Sequence, residues 1–398
     1  MKLRARTRRF DGDLDLATVA GSEGVLFERG RLGFAGRGVA ARVPVDEVEG
    51  FLAGIDVDDE VGLPGCGPVA FAALPFLPER WYNAELVVPS LVVGRADDGT
   101  RWVTTVTADG AADPALPVGE PAAADPSRFE VAPGRPPEEW TRVVADATKA
   151  MAEGAFDKVV LAREIDVEAD LPFAVPSVLA RLRASYPGCF IAHIDGFVAA
   201  SPELLVSRHA DVVRAHPMAG TAPRGGDPSA DARLAAGLLA SATYRHEHQV
   251  TIDMVHDTLL PWCSYLDYEA EPSVVPLANL QHLATLVEGR LSRPAPSALE
   301  LARALHPTPA VCGRPRDAAL AFIAANEGFD RGRYAGTFGW VDGRGNGQWS
   351  VSIRCAELDG RRARVFAGNG IVASSDPATE LAETRVKLQA VLSALLRP

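Results

Sequence analysis

The segment CFIAHIDGFVAASPELLVSRHADVVRAHPMAG, residues 189–220, decides the fold class of this chain. It contains short apolar runs rich in Val, Ile, Leu and Phe, a composition that favours β-strands. DG at 195–196 and HAD at 209–211 separate these runs and are typical of tight turns. Because tight turns join antiparallel neighbours, the segment predicts three or four antiparallel strands.

Strands and helices alternate in the sequence on both sides of this segment. Before it, residues 157–167 (DKVVLAREIDV) predict a strand and residues 173–187 a helix. After it, residues 227–263 predict one long helix or two, with Asp227 or Ser229 as the N-cap. The remaining predicted elements are a strand at 280–292, helices at 297–307 and 315–328, a three-stranded meander at 334–372 and a C-terminal helix at 376–396. Antiparallel runs of strands with helices between them predict an α+β fold, in which helices cover large antiparallel sheets.

Residues 1–130 are rich in Gly, Pro, Ala and Asp and predict less regular structure. Within them, residues 86–93 (LVVPSLVV) and 101–107 (RWVTTVT) each predict a strand. Residues 108–140 predict a linker or a long surface loop. A helix is predicted from about Pro137 to Glu153, because proline and acidic residues favour a first helical turn.

Composition and charge exclude several classes of protein. The chain has 398 residues, of which 47% are hydrophobic and 23% charged, so it has the apolar material for a large core and is not disordered. Its formal net charge of −12 argues against nucleic acid, which needs a basic surface. No apolar run approaches the about 18 residues of a membrane span, and the basic start lacks the apolar segment of a secretory signal. Five widely spaced cysteines without a CxxC pair predict reduced residues of a cytoplasmic protein.

Lysine is rare in this chain. The four lysines are Lys2, Lys149, Lys158 and Lys387, and the other 36 basic residues are arginine. In a chain that uses arginine for surface charge, a remaining lysine is a candidate for a group that must lose its proton, which guanidinium does not do. The alternative is an ordinary surface lysine, and both interpretations are open for each lysine taken alone.

Two carboxylates and a lysine share one face of the C-terminal helix. Glu380, Glu383 and Lys387 are spaced i, i+3 and i+7 after the glycine-rich segment GNGIVASSDP at 368–377. Carboxylates at such a loop suit Mg²⁺, which takes one or two protein carboxylates together with water and substrate oxygens. Helix capping by acidic residues is the alternative. Glu247, which lies between two histidines in YRHEHQV, is either a third carboxylate of this site or a surface residue.

Glu203 and Lys158 are candidates for proton transfer. Glu203 follows a proline between two apolar strands, where burial would raise the pKa of its carboxyl and let it act as a general acid. The alternative is an exposed turn residue. Lys158 begins the apolar strand KVVLA, five residues before Arg163. Desolvation and a nearby cation would lower its pKa and make it a base, whereas a charge at the rim of a sheet is the alternative.

Further features suit an anionic ligand. PMAGTAPRG at 217–225 and GNG at 368–370 offer backbone N–H groups, and Thr221 adds a hydroxyl. Arg354 alternates with apolar neighbours in the predicted strand VSIRCAEL and needs an anionic partner, either a protein carboxylate or a ligand carboxylate. His306 is a weaker candidate, whose alternative role is to end a helix. Together these residues describe an enzyme that acts on a small anionic metabolite.

Nine stretches of the sequence resemble the chorismate-utilising enzymes and follow the order that they have in that family. The chain is most similar to the isochorismate synthase branch, through HPTPAVCG, GTFGWVDGRGNGQW and SIRCAEL. The resemblance implies one α+β domain with two large, mostly antiparallel sheets covered by helices, in which residues 1–130 complete the fold and residues 131–398 form the chorismate-binding catalytic region. The stretches are FDKVVLAREIDV, SPELLVSR, HPMAGTAPRG, HEHQVTIDMV, LHPTPAVCGRPR, FDRGRYAGTFGW, WSVSIRCAEL, RVFAGNGIV and ELAETRVKL.

The resemblance also implies a role for each candidate residue. In this branch water adds at C2 of chorismate as the C4 hydroxyl departs, so Lys158 would activate the water and Glu203 would protonate the leaving hydroxyl. Glu247 and Glu383 would bind the cofactor Mg²⁺, with Glu380 nearby. The implied substrate-binding residues are Gly220, Thr221, His306, Ala310, Tyr334, Arg354, Gly368, Gly370 and Lys387. The implied partner is chorismate alone, without nucleic acid, membrane or an obligate protein partner, in siderophore or menaquinone biosynthesis.

Ala219 separates the branches of the family. Aminodeoxychorismate synthases carry lysine at this position, where its amine attacks C2, so a small external nucleophile is implied here. Water is used by isochorismate and salicylate synthases and ammonia by anthranilate synthases. HPTPAV and GTFGW favour the isomerase over a salicylate synthase, which also eliminates pyruvate. A non-catalytic chorismate-binding subunit is a further alternative, although it would be expected to have lost an acid or a base.

Two positions depart from the family pattern. Tyr244 stands where many relatives have an acid, three residues before the expected metal ligand Glu247. Asn369 stands between two glycines where relatives often have alanine. These departures imply a different outer shell for the metal and a different shape or contact for the GNG loop.

Overall fold

A computed structural model describes residues 2–108, 110–117 and 123–396 of the chain. Within these ranges the chain forms 25 β-strands and nine α-helices, with short 3-10 turns at Pro78–Asn83 and Leu260–Trp262. The strands are β1 (Leu3–Arg9), β2 (Val25–Arg29), β3 (Leu32–Arg37), β4 (Ala41–Pro44), β5 (Asp56–Asp59), β6 (Val69–Leu74), β7 (Glu85–Val88), β8 (Leu91–Arg95), β9 (Arg101–Ala108), β10 (Phe129–Pro133), β11 (Lys158–Ala169), β12 (Phe190–Ile194), β13 (Phe197–Ser201), β14 (Leu204–His209), β15 (Val212–His216), β16 (Met218–Pro223), β17 (Cys263–Tyr268), β18 (Ser273–Pro276), β19 (Leu280–Ala284), β20 (Val287–Leu291), β21 (Gly313–Arg314), β22 (Thr337–Asp342), β23 (Gly347–Val351), β24 (Cys355–Asp359) and β25 (Arg362–Ile371). The helices are α1 (Leu16–Ala20), α2 (Val48–Ala53), α3 (Pro137–Ala152), α4 (Val175–Ser185), α5 (Pro228–Ala240), α6 (Ala242–Leu259), α7 (Ala298–Leu305), α8 (Arg316–Asn326) and α9 (Pro377–Leu395).

Two large sheets and one small sheet contain these strands. The thirteen-stranded sheet has the order β10–β11–β25–β24–β13–β12–β2–β3–β8–β9–β1–β5, with β21 paired to β11. The nine-stranded sheet has the order β17–β20–β15–β14–β23–β22–β6–β7–β4, and the small sheet is β16–β19–β18. Among the described strands only β1 and β5 pair in parallel. Two large, mostly antiparallel sheets with helices confirm the predicted α+β fold.

Strands from the N-terminal part of the chain contribute to both large sheets. β2 pairs with β12 in the thirteen-stranded sheet, and β6 pairs with β22 in the nine-stranded sheet. The main apolar core lies between these sheets, where Phe27 meets Phe338 and Phe34 meets Trp340 at ring-centroid distances of 6.0 and 4.7 Å. A second apolar cluster joins the thirteen-stranded sheet to α1, α4 and α9. Burial of aromatic rings on this scale supplies much of the apolar area that stabilises the fold.

Capping side chains determine where the helices near the site begin. The Asp227 carboxylate accepts a hydrogen bond from the backbone N–H of Ser229 and starts α5. Ser241 ends α5 and caps α6, so residues 227–263 contain two helices and not one. Asp376 caps α9 through the N–H of Thr379. Each cap satisfies backbone donors that the first helical turn leaves without a partner.

Among the helices that the structure describes, none has the length and apolar character needed to span a membrane.

Two segments predicted as single strands are each divided between two sheets. Residues 86–93 form β7 in the nine-stranded sheet and β8 in the thirteen-stranded sheet, separated at Pro89. Proline has no N–H to donate to a strand ladder, so the pairing is interrupted there. Residues 280–292 form β19 in the small sheet and β20 in the nine-stranded sheet. The prediction of one strand in each place was therefore wrong.

The predicted linker at 108–140 contains a strand and the start of a helix. β10 pairs with β11 at the edge of the thirteen-stranded sheet. Residues 111–117 and 123–128 have no regular structure, whereas residues 109 and 118–122 lie outside the described residues. The helix predicted from Pro137 is confirmed as α3.

The predicted three-stranded meander is four strands that belong to both large sheets. β22 pairs with β23 in the nine-stranded sheet, and β24 pairs with β25 in the thirteen-stranded sheet. The chain crosses between them at residues 352–354, where Arg354 has a positive φ of 52°. Arg354 is therefore not part of a strand, which corrects the prediction. A second crossing, between β13 and β14, contains Glu203. Both charged residues lie where the chain passes from one large sheet to the other.

Candidate active site

One cavity collects most of the residues singled out in the sequence. It is open to solvent on one side, and the space inside it and at its mouth amounts to about 680 Å³. The predicted residues that line it are Lys158, Glu203, Gly220, Thr221, Glu247, Ala310, Tyr334, Arg354, Gly368, Gly370 and Lys387. Pro202, Met218, Ala219, His282 and Ile353 also contribute to the lining. Elements far apart in the sequence thus meet in one site.

Lys158, the first residue of β11, forms an ion pair across the cavity lining. Its Nζ lies 2.5 Å from Oε1 of Glu247 on α6, and the lysine side chain is only 10% exposed. Gly370 lies beside it on β25. A Cβ atom at Gly370 would approach Lys158 Cε to 2.7 Å. The missing side chain at Gly370 therefore makes room for the lysine.

Glu203 is a buried residue and not an exposed turn residue. Its residue surface is 4% exposed. Burial raises the pKa of the carboxyl to about 8, although a backbone hydrogen bond from Met218 and the charges of Lys158 and Arg354 act in the opposite direction. The carboxyl is therefore protonated at neutral pH and can donate a proton into the cavity.

Arg354 presents a buried cation to the cavity. Among the described side chains it forms no ion pair with a carboxylate, and its Nη2 lies 3.4 Å from Nε2 of His282. Burial, together with the charges of Arg354 and Lys387, lowers the pKa of His282 to about 3, so the imidazole is neutral. Nδ1 of the same ring lies 3.1 Å from the Thr221 hydroxyl oxygen. Arg354 is thus held in place while its charge is free for an anionic ligand.

His282 was missed in the sequence. It lies in β19, and its 7% exposure makes it a buried polar residue in a strand whose other members are also buried. The signal was the histidine in the apolar run LQHLA, since a buried imidazole needs hydrogen-bond partners.

Tyr334 and Gly368 fit closely against each other. A Cβ at Gly368 would lie 2.8 Å from the Tyr334 hydroxyl oxygen and 3.0 Å from the carbonyl oxygen of Leu161. The Tyr334 ring stacks on Phe366 with a centroid distance of 5.3 Å. Burial raises the pKa of Tyr334, so the phenol stays protonated and remains a hydrogen-bond donor.

Lys387 connects α9 to the GNG segment at 368–370, which was expected to be a loop but lies within β25. Its Nζ lies 2.7 Å from Oε1 of Glu383, donates a hydrogen bond of 2.7 Å to Oδ1 of Asn369 and donates another of 3.1 Å to the carbonyl oxygen of Gly368. Burial lowers the pKa of Lys387, whereas the Glu383 charge raises it. Asn369, one of the two departures from the family pattern, therefore points toward α9 and connects the end of β25 to that helix.

The three expected metal carboxylates lie in one region, but each has its own partner. Glu247 pairs with Lys158 and Glu383 with Lys387, while Glu380 accepts hydrogen bonds from Asn369 Nδ2 and Ser375 Oγ at 2.8 and 2.7 Å. Glu383 and Glu380 are not among the residues that line the cavity. Within the described part of the chain, no three His, Cys, Asp or Glu side chains form a group that could hold a metal ion.

The Tyr244 phenol lies close enough to all three carboxylates to be affected by their charges. Burial raises the pKa of this phenol, and the charges of Glu383, Glu247 and Glu380 raise it further. Carboxylates are the protein ligands that Mg²⁺ takes, and two with additional water and substrate oxygens are enough. Glu247 and Glu383, each already beside a lysine ammonium, thus have the right ligand type for a cation.

His306 does not belong to the cavity. It is the C-cap of α7, is 2% exposed, and its Nε2 lies 2.8 Å from the carbonyl oxygen of Phe76. Its ring stacks on Trp81 with a centroid distance of 5.3 Å. The structure therefore favours the alternative role in which His306 ends a helix, and it separates this residue from the other predicted substrate ligands.

A buried ion pair supports β11, the strand that begins with Lys158. Arg331 Nη2 lies 2.6 Å from Oε1 of Glu327, and both side chains are 2% exposed. Glu327 accepts a hydrogen bond from the N–H of Ala162 at 2.7 Å, and Arg331 donates to the carbonyl oxygens of Val160 and Val311. The pair thus connects β11 to the loop that follows Ala310.

We expect Arg331→Met to destabilise the protein by about 3–5 kcal/mol, because it leaves the Glu327 carboxylate buried without a counter-ion. Urea unfolding would measure this loss. The matched control is Arg290→Met, which removes an exposed pair with Asp211 and should cost less than about 1 kcal/mol. The double variant Glu327→Gln, Arg331→Met should recover part of the stability. A loss for Arg331→Met no larger than the control would contradict a buried, mutually dependent pair.

Comparisons with known proteins identify the family of this chain. A family profile described as chorismate binding enzyme matches residues 44–396. A Mycobacterium tuberculosis protein provisionally named isochorismate synthase MenF is 42% identical over 346 residues, covering 83% of this chain and 87% of that protein. Isochorismate synthase DhbC of Bacillus subtilis is 40% identical over 278 residues, covering 67% and 70%. The solved structure of the menaquinone-specific isochorismate synthase MenF of Escherichia coli has a TM-score of 0.84 at 25% identity and covers 99% of this chain and 95% of that one. The profile spans most of the sequence and the relatives match it over their greater part, so this chain belongs to the chorismate-binding enzyme family.

Proposed function

We propose that this protein is an isochorismate synthase, an isomerase that converts chorismate reversibly to isochorismate. The proposal rests on one observation: a buried, protonated acid, Glu203, and a lysine, Lys158, line the same cavity. Ala219 lines the same cavity, so no lysine is available at that position to attack the substrate. The names of the similar proteins support the same reaction.

The residues of the cavity suit both ends of this reaction. We infer that Lys158, once it has given up its own proton, accepts a proton from water as the water oxygen bonds to C2. Glu203 gives its proton to the C4 hydroxyl as the C4–O bond breaks, so one water enters and one leaves. The reverse reaction uses the resulting ammonium as the acid and the carboxylate as the base. Arg354 and Tyr334 would hold a carboxylate of the substrate by charge-assisted hydrogen bonds.

Mg²⁺ is the proposed cofactor, and Glu247 and Glu383 are its proposed protein ligands. When bound, the ion would supply positive charge for a second substrate carboxylate in a protein whose net charge is −12. Asn369 and Ser375 hold Glu380 by hydrogen bonds, which suits an outer position for this carboxylate. Lys387 contacts both Glu383 and the Gly368 carbonyl, and thereby fixes α9 against the end of β25.

The test of the function is the product formed from chorismate in the presence of Mg²⁺. We expect isochorismate, identified by chromatography and mass, with no pyruvate released in a coupled assay. Pyruvate released at the full rate of chorismate loss would instead identify a salicylate synthase. If chorismate binds but is not consumed, the protein is a non-catalytic binding subunit and the proposal is wrong.

Removal of one proposed metal ligand should weaken Mg²⁺ binding. Loss of a supporting group around a metal site commonly costs about 10–100-fold in affinity, so Glu383→Ala should raise the Kd for Mg²⁺ at least about tenfold. Isothermal titration calorimetry would measure it. The control is Glu153→Ala, an exposed glutamate at the end of α3. Equal Kd values for the two variants would remove Glu383 from the proposed ligand set.

A further inference from the structure

The side chain of Asn369 lies on the face of β25 that meets α9. Gly368 and Gly370, its neighbours in the strand, line the cavity, and successive residues of a strand point to opposite faces. Asn369 is 2% exposed and is not among the residues that line the cavity. The proposed reaction therefore gives this buried amide no contact with the substrate.

Both ends of the Asn369 amide are hydrogen-bonded to α9. Nδ2 donates to Oε2 of Glu380 at 2.8 Å and to the carbonyl oxygen of the same residue at 2.9 Å. Oδ1 accepts a hydrogen bond of 2.7 Å from Nζ of Lys387. The amide thus connects a residue in the first turn of α9 with one that lies seven positions further along the helix.

Lys387 has three acceptors for the three N–H groups of its ammonium. They are Oδ1 of Asn369, the carbonyl oxygen of Gly368 at 3.1 Å and Oε1 of Glu383 at 2.7 Å. The lysine side chain is only 9% exposed, so water cannot easily replace a lost acceptor. Because a buried donor without an acceptor is costly, all three contacts are needed to hold the charge in place.

Glu383 is the acceptor that Lys387 would share with a cation. The proposed function makes this carboxylate a protein ligand of Mg²⁺, and an ion bound there competes with the ammonium for the same oxygens. Asn369 and Gly368 are neutral acceptors that the ammonium keeps in either case. Without the Asn369 amide, Lys387 would depend more strongly on Glu383, and the carboxylate would be less available to the cation.

We propose that Asn369 is a positioning residue for the Mg²⁺ site, which acts through Lys387 and strengthens the binding of the ion to Glu383. The inference rests on the proposed function, in which Glu383 is a metal ligand. It concerns this chain in particular, because the alanine that relatives often have at this position offers the ammonium no acceptor.

The test is calorimetric titration of the full chain with MgCl₂ in the absence of chorismate. Asn369→Ala should raise the Kd for Mg²⁺ about threefold to tenfold, which is less than the about 10–100-fold expected for a direct partner of a metal ligand. The matched control is Asn279→Ala. Asn279 also donates an amide hydrogen bond to α9, of 3.0 Å to the carbonyl oxygen of Val386, but in the described part of the chain it has no hydrogen bond to Lys387 or to a proposed metal ligand.

The control separates positioning from simple attachment of the helix. We expect Asn279→Ala to leave the Kd within about twofold of the wild-type value, since one remote hydrogen bond is not coupled to the ion. Equal shifts in the two variants would mean that the amide only attaches α9, and an unchanged Kd in Asn369→Ala would mean that it has no effect on the ion. Either result overturns the proposal.

A double-mutant cycle tests whether Asn369 acts through Lys387. Lys387→Met removes the ammonium and keeps an unbranched side chain. In this background Asn369→Ala should change the Kd by less than about twofold, because the amide has lost the group through which it acts. An effect as large as the one measured with Lys387 present would overturn the proposal.

Two further outcomes are distinguished by the wild-type protein and by a conservative variant. A wild-type protein that binds no Mg²⁺ would contradict both the proposed cofactor and this inference, whereas equal binding by wild type and Asn369→Ala contradicts only the inference. If Asn369→Ala does not fold, as judged by thermal unfolding without Mg²⁺, Asn369→Asp keeps an acceptor for Lys387. That variant should bind Mg²⁺ at least as tightly as the wild type, and weaker binding would overturn the proposal.

Discussion

Glu203→Gln is expected to lower kcat for chorismate isomerisation by about 10²–10⁴-fold, the usual contribution of a positioned general acid. Glutamine has nearly the same shape and keeps hydrogen-bonding capacity, but it has no proton to give to the departing hydroxyl. The site geometry should be retained, so the loss should fall on kcat and not on KM. Steady-state kinetics that follow isochorismate formation would measure it.

The pH profile supplies a second readout of the same residue. Glu203 must be protonated to act as the acid in the forward direction, and burial raises its pKa to about 8. The forward rate of the wild-type protein should therefore fall as the pH rises above about 8, as the protonated fraction declines. Glu203→Gln should lack this decline. A wild-type rate that stays constant up to pH 10 would contradict the role of Glu203 as the acid.

Stability provides the control that the variant is folded. The folded-state pKa of Glu203 is raised from its ordinary value of 4.5, so the folded protein keeps a proton that the unfolded chain releases as the pH rises. This contribution to stability is fully present below about pH 4.5 and is lost as the pH rises through about 8. Glu203→Gln cannot ionise and should be less sensitive to pH in urea unfolding. A folded Glu203→Gln variant with a near-normal rate would refute the proposed acid.

Local sequence patterns predicted the elements well because turns and caps are local. Asp227 as a helix cap depends only on the backbone N–H groups that follow it in the chain, and the turns within 189–220 depend on two or three residues. The same patterns did not show which sheet a strand joins. Pro89 marks the point where a run of β-forming residues passes from one sheet to another, and only long-range pairing distinguishes the two halves.

Arg354 is a candidate site residue that the sequence identified, although the prediction that it lies in a strand was wrong. The argument that a buried arginine needs an anion depends on charge and burial, and both hold at the crossing after β23 as they would in a strand. The position of His306 depends on a contact that the sequence does not show, since its hydrogen-bond partner is the carbonyl oxygen of Phe76, more than 200 residues away in the chain. The hydrogen bonds that Glu380 accepts, including the one from Asn369, likewise could not be predicted from the spacing of residues along a helix.

The second large effect is expected for Lys158→Ala, which should lower kcat by about 10²–10⁴-fold because the attacking water loses its base. The matched control is Lys149→Ala, since Lys149 is an exposed lysine on α3, and its rate should be unchanged. The rate of isochorismate formation should be measured for both variants. The comparison distinguishes the loss of a lysine in this site from the loss of a lysine elsewhere in the chain. Near-normal turnover by Lys158→Ala would show that another group activates the water.

Lys158→Arg separates the two tasks that the lysine could perform. In the structure Lys158 is the counter-ion of Glu247 at 2.5 Å, and an arginine keeps that positive charge. Guanidinium does not lose its proton near neutral pH, so the variant cannot act as a base. We therefore expect Lys158→Arg to be as slow as Lys158→Ala even if calorimetry shows that chorismate still binds. If Lys158→Arg is instead as fast as the wild-type protein, the residue serves only as a cation, and the base must be sought elsewhere in the cavity.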